Sequence, residues 1–219
     1  MSHIIAHDLN NTKCVHAVIR SYPQHAEQIG EQCFDIPHFC IKTASSLQWF
    51  HSHCASVDVQ YLQLECEIVL LLDADSPQSN AIDSRIKGIS LGLDLTDRRE
   101  LLKARKSGLP WTTAKSFPGA AVVCEFQNTN DFKNLSQLKF EMLVNGETRM
   151  LGSPESMRYT ITQMIDRIEG TTGLEKNDIV YLGAPEKGIG IAPGDEITLR
   201  FTEFPNLHWT YEFGKLFTK

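Results

Sequence analysis

The chain has 219 residues, 42% of them apolar, with 21 Lys and Arg against 27 Asp and Glu for a net charge of -6. That size supports one sizeable core, and the acidic balance argues against nucleic acid or an anionic membrane as the main partner, leaving small molecules. The N-terminus shows no basic region followed by an apolar stretch and the longest aliphatic run, Ile68 to Leu72, is too short to cross a bilayer, so a soluble, cytoplasmic protein is expected.

In chain order, alternating or β-branched segments predict strands over 12–20, 39–43, 57–72, 88–95, 120–126, 138–145, 178–182, 196–202 and 207–213. Between them lie three predicted helices. The first follows Tyr22-Pro23 over 23–32, and the second covers 96–106, where Asp97 and Glu100 have capping-box spacing. The third runs over 154–169: Ser153 caps it, Pro154 opens the first turn, Gly170 closes it, and Met157, Ile161, Met164, Ile165 and Ile168 share an apolar face. Asn145-Gly146 predicts a type I′ hairpin and Pro193-Gly194-Asp195 a second turn, while 73–80 and 128–136 read as polar loops. Six scattered cysteines without a Cys-x-x-Cys pair fit reduced thiols and argue against structural zinc. With no repeat or linker, the pattern predicts a single-domain, β-rich α+β fold over 1–219, in which a strand-helix-strand region over 1–50 packs on a core over 57–219.

The strongest chemical signal is Glu65-Cys-Glu67. Strand side chains alternate, so both glutamates project from one face, where like charges favour a bound cation or a shared proton. Asp94 ends Gly88 to Leu95 on a face it shares with Ser90 and Gly92, which leaves room beside the carboxylate. Three carboxylates without His or Cys nearby in sequence favour a hard cation such as Mg²⁺, Mn²⁺ or Ca²⁺. The competing reading places all three acids on solvated strand faces. Lys115, just past Leu109-Pro-Trp111, either reaches a metal-bound anion or lies exposed at a strand edge. His25 and Gln28 stand one helical turn apart, a spacing at which the amide can orient the imidazole. His51 and His53 have i, i+2 spacing, a weak transition-metal signal. The glycine-punctuated stretch Gly183 to Gly190 reads equally as a structural turn or a ligand lid.

Taken in order, these pieces resemble the fumarylacetoacetate hydrolase family, in particular its short acylpyruvate hydrolases and oxaloacetate decarboxylases. The matching stretches are Arg20-Ser-Tyr-Pro-Gln-His25, Phe39-Cys-Ile-Lys42, Glu65-Cys-Glu67, Leu93-Asp-Leu-Thr96 with Arg98, Gly108 to Phe117, Val144 to Glu147, Ser156-Met157 and Gly183-Ala-Pro185. The resemblance implies a mixed β-sandwich roll with a few short peripheral helices and a homodimer. It implies Mg²⁺ or Mn²⁺ held by Glu65, Glu67 and Asp94, catalysis by His25, Gln28 and Lys115, and a 2-oxo acid contacted by Arg20, Tyr22, Arg98, Gly183, Ala184 and Pro185. The implied chemistry is metal-dependent C–C bond hydrolysis of an acylpyruvate. Oxaloacetate decarboxylation or tautomerisation is the alternative, and a non-catalytic metal-binding member a third reading. Three positions depart from the family pattern: Gln28 replaces a glutamate, Ala184 a threonine and Leu101 a glutamine. A glutamine can orient an imidazole but cannot stabilise its charged form, which favours the decarboxylase or tautomerase alternative.

Overall fold

The computed structural model describes residues 4–52, 56–73, 83–132 and 134–213. The strands are β1 (Val15–Ile19), β2 (His38–Lys42), β3 (Leu47–Trp49), β4 (Leu62–Leu72), β5 (Ile86–Asp97), β6 (Ala121–Val123), β7 (Gln127–Asn128), β8 (Phe140–Val144), β9 (Glu147–Gly152), β10 (Ile179–Tyr181), β11 (Glu196–Phe201) and β12 (His208–Glu212). The helices are α1 (Pro23–Gln28), α2 (Arg98–Ser107), α3 (Thr112–Lys115) and α4 (Ile161–Thr172). Strands form two sheets: a mixed one in the order β2-β1-β10-β4-β5-β6-β3, with β7 beside β5, and an antiparallel one in the order β12-β11-β8-β9. This is the expected β-rich fold with few helices.

The long antiparallel pair β4–β5 is the spine. Its even β4 positions, Leu64, Cys66, Ile68 and Leu70, join Leu91, Leu93 and Leu95 of β5 in a core closed by Met142, Leu199 and Phe201 of the second sheet and by Ile161, Met164, Ile165 and Ile168 of α4. Each such buried aliphatic side chain is worth about 1.5–3 kcal/mol of transfer free energy. On the other face of β4, Val69 and Leu71 pack with Val15, Ala17, Val123 and Tyr181 in a second cluster. Glu65 and Glu67 continue that second face, so the acids stand at the margin of a dry layer rather than on an open sheet.

Two helix starts differ from the sequence expectation, each for a physical reason. Helix α4 begins at Ile161 because Thr160 and Gln163 form a reciprocal capping box, while Pro154–Ser156 makes only a single 3-10 turn. Gly170 consequently lies inside α4, and Gly173, at φ +79, ends it. Helix α2 begins at Arg98, since Thr96 and Asp97 stay in β5 and the Asp97 carboxylate accepts from the Arg99 and Glu100 N–H groups. The Asn145-Gly146 turn has positive φ at both residues, +52 and +81, as a type I′ hairpin requires. Cys14, Cys33, Cys40, Cys66 and Cys124 are free thiols. Among the described residues no helix is long and apolar enough to cross a membrane. His53 and most of the predicted 73–80 loop lie outside the described residues.

Candidate active site

Register places the acids. Glu65 on β4 is directly opposite Asp94 on β5, and Glu67 is opposite Gly92. Carboxylate oxygens of Glu65, Glu67 and Asp94 all lie within 4.8 Å of one another. Glu67 and Asp94 are 2% and 3% exposed, which removes the reading of solvated acids on an outer face. The room expected beside Asp94 is filled by protein at Gly92: a Cβ there would stand 2.4 Å from the Val122 carbonyl and 3.0 Å from the Tyr181 ring. The small residue seats a tyrosine, whose hydroxyl donates to that same carbonyl at 2.8 Å.

Two buried lysines face the acids. Lys115, at the end of the one-turn helix α3, donates to Glu65 Oε2 at 3.1 Å and to Asp94 Oδ2 at 2.8 Å. Burial disfavours its charge, but Asp94 and Glu65 outweigh burial and hold the ammonium well above the usual lysine range. Lys42, fully buried at the end of β2, donates to the carbonyls of Leu95, Lys115 and Ala120 at 3.2, 2.7 and 2.8 Å, with Asp94 Oδ1 at 2.7 Å. Burial pulls the Lys42 pKa down, with Asp94 opposing it. Asp94 is the anchor: burial works against its charge, yet Lys115 and Lys42 keep its carboxyl below the normal range.

Glu67 has no such partner. Among the described residues its one hydrogen bond comes from the Gly183 N–H at 2.6 Å, and burial, Asp94 and Glu65 push its pKa well up. A cation between the three carboxylates would relieve that opposition, and a donor set made only of carboxylate oxygens fits a hard divalent cation bound by Glu65, Glu67 and Asp94.

His25 completes the inner site. Its Nδ1 donates to the Ala184 carbonyl at 3.1 Å, and its Nε2 faces Glu65 Oε1, 3.6 Å away. Gln28 does not orient this ring, contrary to the expectation from spacing: its Oε1 instead accepts from the Lys187 N–H at 2.8 Å. That bond helps pin the glycine-punctuated stretch, where Ile189 and Leu64 exchange two backbone bonds of 2.9 and 3.0 Å and Gly188 packs on Glu65. The stretch is a fixed wall of the site in this structure.

The cleft is lined by Arg20, His25, Gln63, Glu65, Glu67, Asp94, Thr96, Lys115 and Ala184, with Leu101, Arg105 and Trp111 at its α2–α3 side. Thus Arg20, His25, Glu65, Glu67, Asp94, Lys115 and Ala184 are brought together. Tyr22 is buried, its hydroxyl without a hydrogen-bond partner among the described residues and its pKa raised by burial and by Glu67. Gly183 serves through its N–H to Glu67, at φ +94 with Ser21 Oγ where a Cβ would stand. Pro185 packs against Gly152 instead of lining the cleft, and Arg98 is exposed outside it. Sequence reasoning gave Lys42 and Arg105 no role. A lone lysine ending an edge strand carries no local sign that three carbonyls from β5, α3 and the turn before β6 converge on it.

The profile of the fumarylacetoacetate (FAA) hydrolase C-terminal family matches residues 14–211, nearly the whole chain. The chain belongs to this family. Among relatives of the fumarylacetoacetate hydrolase family, it is 26% identical over 192 residues to the mitochondrial oxaloacetate decarboxylase of Dictyostelium discoideum, covering 85% of this chain and 87% of that one. It is 28% identical over 200 residues to a mitochondrial oxaloacetate tautomerase of Oryza sativa subsp. japonica, covering 88% and 87%. Its fold is shared with the fumarylpyruvate hydrolase of Pseudomonas aeruginosa, solved with Mn²⁺ and pyruvate, at a TM-score of 0.78 and 20% identity over 93% of this chain and 90% of that one.

Proposed function

We propose that this member of the family is a Mg²⁺- or Mn²⁺-dependent enzyme acting on a 2-oxo diacid such as oxaloacetate, by keto–enol tautomerisation or decarboxylation. The observation that carries the choice is the setting of His25: a backbone carbonyl holds it, and Gln28 is turned away to Lys187. A divalent cation held by Glu65, Glu67 and Asp94 would supply Lewis acidity for a 2-oxo acid whose carboxylate and 2-oxo oxygens reach it.

The residues divide the remaining work. Lys115, fixed between Glu65 and Asp94, keeps a positive charge beside the oxygen that becomes negative as the enolate forms. Tautomerisation takes a proton from C3 and returns it to the 2-oxo oxygen, and the Nε2 lone pair of His25 can carry it across. Hydrolysis of an acylpyruvate also needs His25 to activate a water, and Gln28, bonded to the Lys187 N–H, puts no carboxylate behind the ring on its Nδ1 side. The names of the Dictyostelium and rice relatives support the same choice.

Acylpyruvate hydrolysis is the second reading, kept because Nε2 of His25 faces the acids from a position suited to activating water. Assays with Mg²⁺ on oxaloacetate and acetylpyruvate separate the two. Oxaloacetate enol–keto interconversion or pyruvate release is expected to exceed acetylpyruvate cleavage by ~10-fold or more, and His25→Gln should slow tautomerisation by ~100-fold, the usual size of a general-base contribution. Faster cleavage of acetylpyruvate than conversion of oxaloacetate would reverse the assignment.

A further inference from the structure

Four cationic or titratable bases line the cleft, and three of them are committed. Lys115 is held by Glu65 and Asp94, His25 lies between Ala184 and Glu65, and Arg20 pairs with Glu31 at 3.3 Å while stacking on Phe34. Arg105 is different. It is exposed, lines the same cleft, and no carboxylate among the described residues pairs with it. Its guanidinium lies over the Trp111 ring, 5.3 Å from the centroid. The stem rises one helical turn beyond Leu101, which presents no polar atom to the cleft. The helix reinforces the charge: α2 carries Arg98, Arg99, Lys103, Arg105 and Lys106 against Glu100 alone, and Glu100 pairs with Lys103 at 3.8 Å.

A guanidinium lying over an indole keeps its N–H groups available, and its planar fork can grip a carboxylate with two parallel hydrogen bonds. We propose that Arg105, braced on Trp111, binds the distal carboxylate of a 2-oxo diacid and so selects diacids over 2-oxo monoacids. This rests on the reading in which the 2-oxo acid end of the substrate is bound at Glu65, Glu67 and Asp94. Arg105 is a specificity residue: it holds the end of the molecule away from the reacting carbons.

The test is calorimetric titration of Mg²⁺-loaded wild type, Arg105→Ala, Arg105→Lys and Trp111→Leu with two stable probes, 2-oxoglutarate, which has a distal carboxylate, and pyruvate, which lacks one. Arg105→Ala should weaken 2-oxoglutarate binding by ~10-fold or more and change pyruvate binding less than ~2-fold, the range expected for one charge-assisted pair. Arg105→Lys, keeping the charge without the fork, and Trp111→Leu, removing the brace, should fall between. For oxaloacetate turnover, Arg105→Ala should raise KM by a similar factor and leave kcat within ~2-fold. Equal losses for both probes, or no loss for either, with wild type binding both, would overturn the role of Arg105 alone. Failure of Mg²⁺-loaded wild type to bind either probe would overturn the 2-oxo acid reading, and this proposal with it.

Discussion

Glu67 and Lys42 are both fully buried, yet their replacement should act on stability in opposite ways. Burial, Asp94 and Glu65 all disfavour a charge on Glu67, and among the described residues its one hydrogen bond is accepted from the Gly183 N–H. Glu67→Gln keeps an acceptor for that N–H and removes the repulsion. The metal-free variant should therefore melt at or slightly above wild type while its Mg²⁺ affinity falls by ~10-fold or more, since a neutral amide is a poor ligand for a hard cation. Lys42→Met strips the donor from three carbonyls and the counter-charge from Asp94 at once, and should cost about 3–5 kcal/mol, the usual penalty for orphaning a buried charge. Scanning calorimetry on metal-free samples checks both, and a Glu67→Gln protein as unstable as Lys42→Met would refute the charge argument. Strand alternation puts Glu65 and Glu67 on one face and Asp94 on another such face, but it leaves solvated positions open for all three, and only the family resemblance joins them as one metal site. The role of Lys42 is not legible, since its partners are backbone atoms of distant elements, which no residue pattern encodes.

Elements are legible where local chemistry decides them and obscure where two local signals compete. Strands β4 and β5 announce themselves by long alternating runs, and Asn145-Gly146 fixes its hairpin by the positive φ both residues accept. For α4 the sequence offers two starts, Ser153-Pro154 and Thr160 with Gln163, and the second wins because it satisfies two backbone N–H groups reciprocally. Moving the helix makes Gly170 an interior residue, where an added Cβ meets nothing within 4 Å. Gly170→Ala should then stabilise the protein by about 0.5–1 kcal/mol, the helix preference of alanine over glycine. A terminating glycine in the left-handed region would give a loss instead, so the urea midpoint distinguishes the two helices. Gly92→Ala should behave in the reverse sense. Its Cβ would press on the Val122 carbonyl at 2.4 Å and on Val69 and Tyr181, costing about 1–3 kcal/mol of overpacking and disturbing the β5–β6 pairing behind Asp94.

Across the whole molecule, the sheet order is what the sequence conceals: local patterns specify strands, while partners such as β1 and β10, 164 positions apart at Cys14 and Asp178, are chosen by the packing of complete layers. Their junction carries a buried ion pair. His16 Nε2 lies 3.5 Å from Asp178 Oδ2, and Asp178 also accepts from the Cys14 and Glu175 N–H groups, tying the N-terminal strand to the strand beside β4. Burial opposes the imidazolium, but the bonds to Asp178 and Cys14 prevail and raise the His16 pKa from 6.5 to about 9. A folded-state pKa above the unfolded one means that the native protein binds the proton more tightly, so the stabilisation is full below pH 6.5 and fades as pH climbs toward 9. At about 1.4 kcal/mol per pK unit, the pair supplies on the order of 1–3 kcal/mol. Unfolding free energy should therefore decline by that amount between pH 6.5 and 9 in wild type, while His16→Gln, which keeps an amide donor toward Asp178 but cannot titrate, should show no such decline over the same window. Parallel pH profiles for the two proteins, measured by denaturant unfolding, would show that the junction holds without a proton.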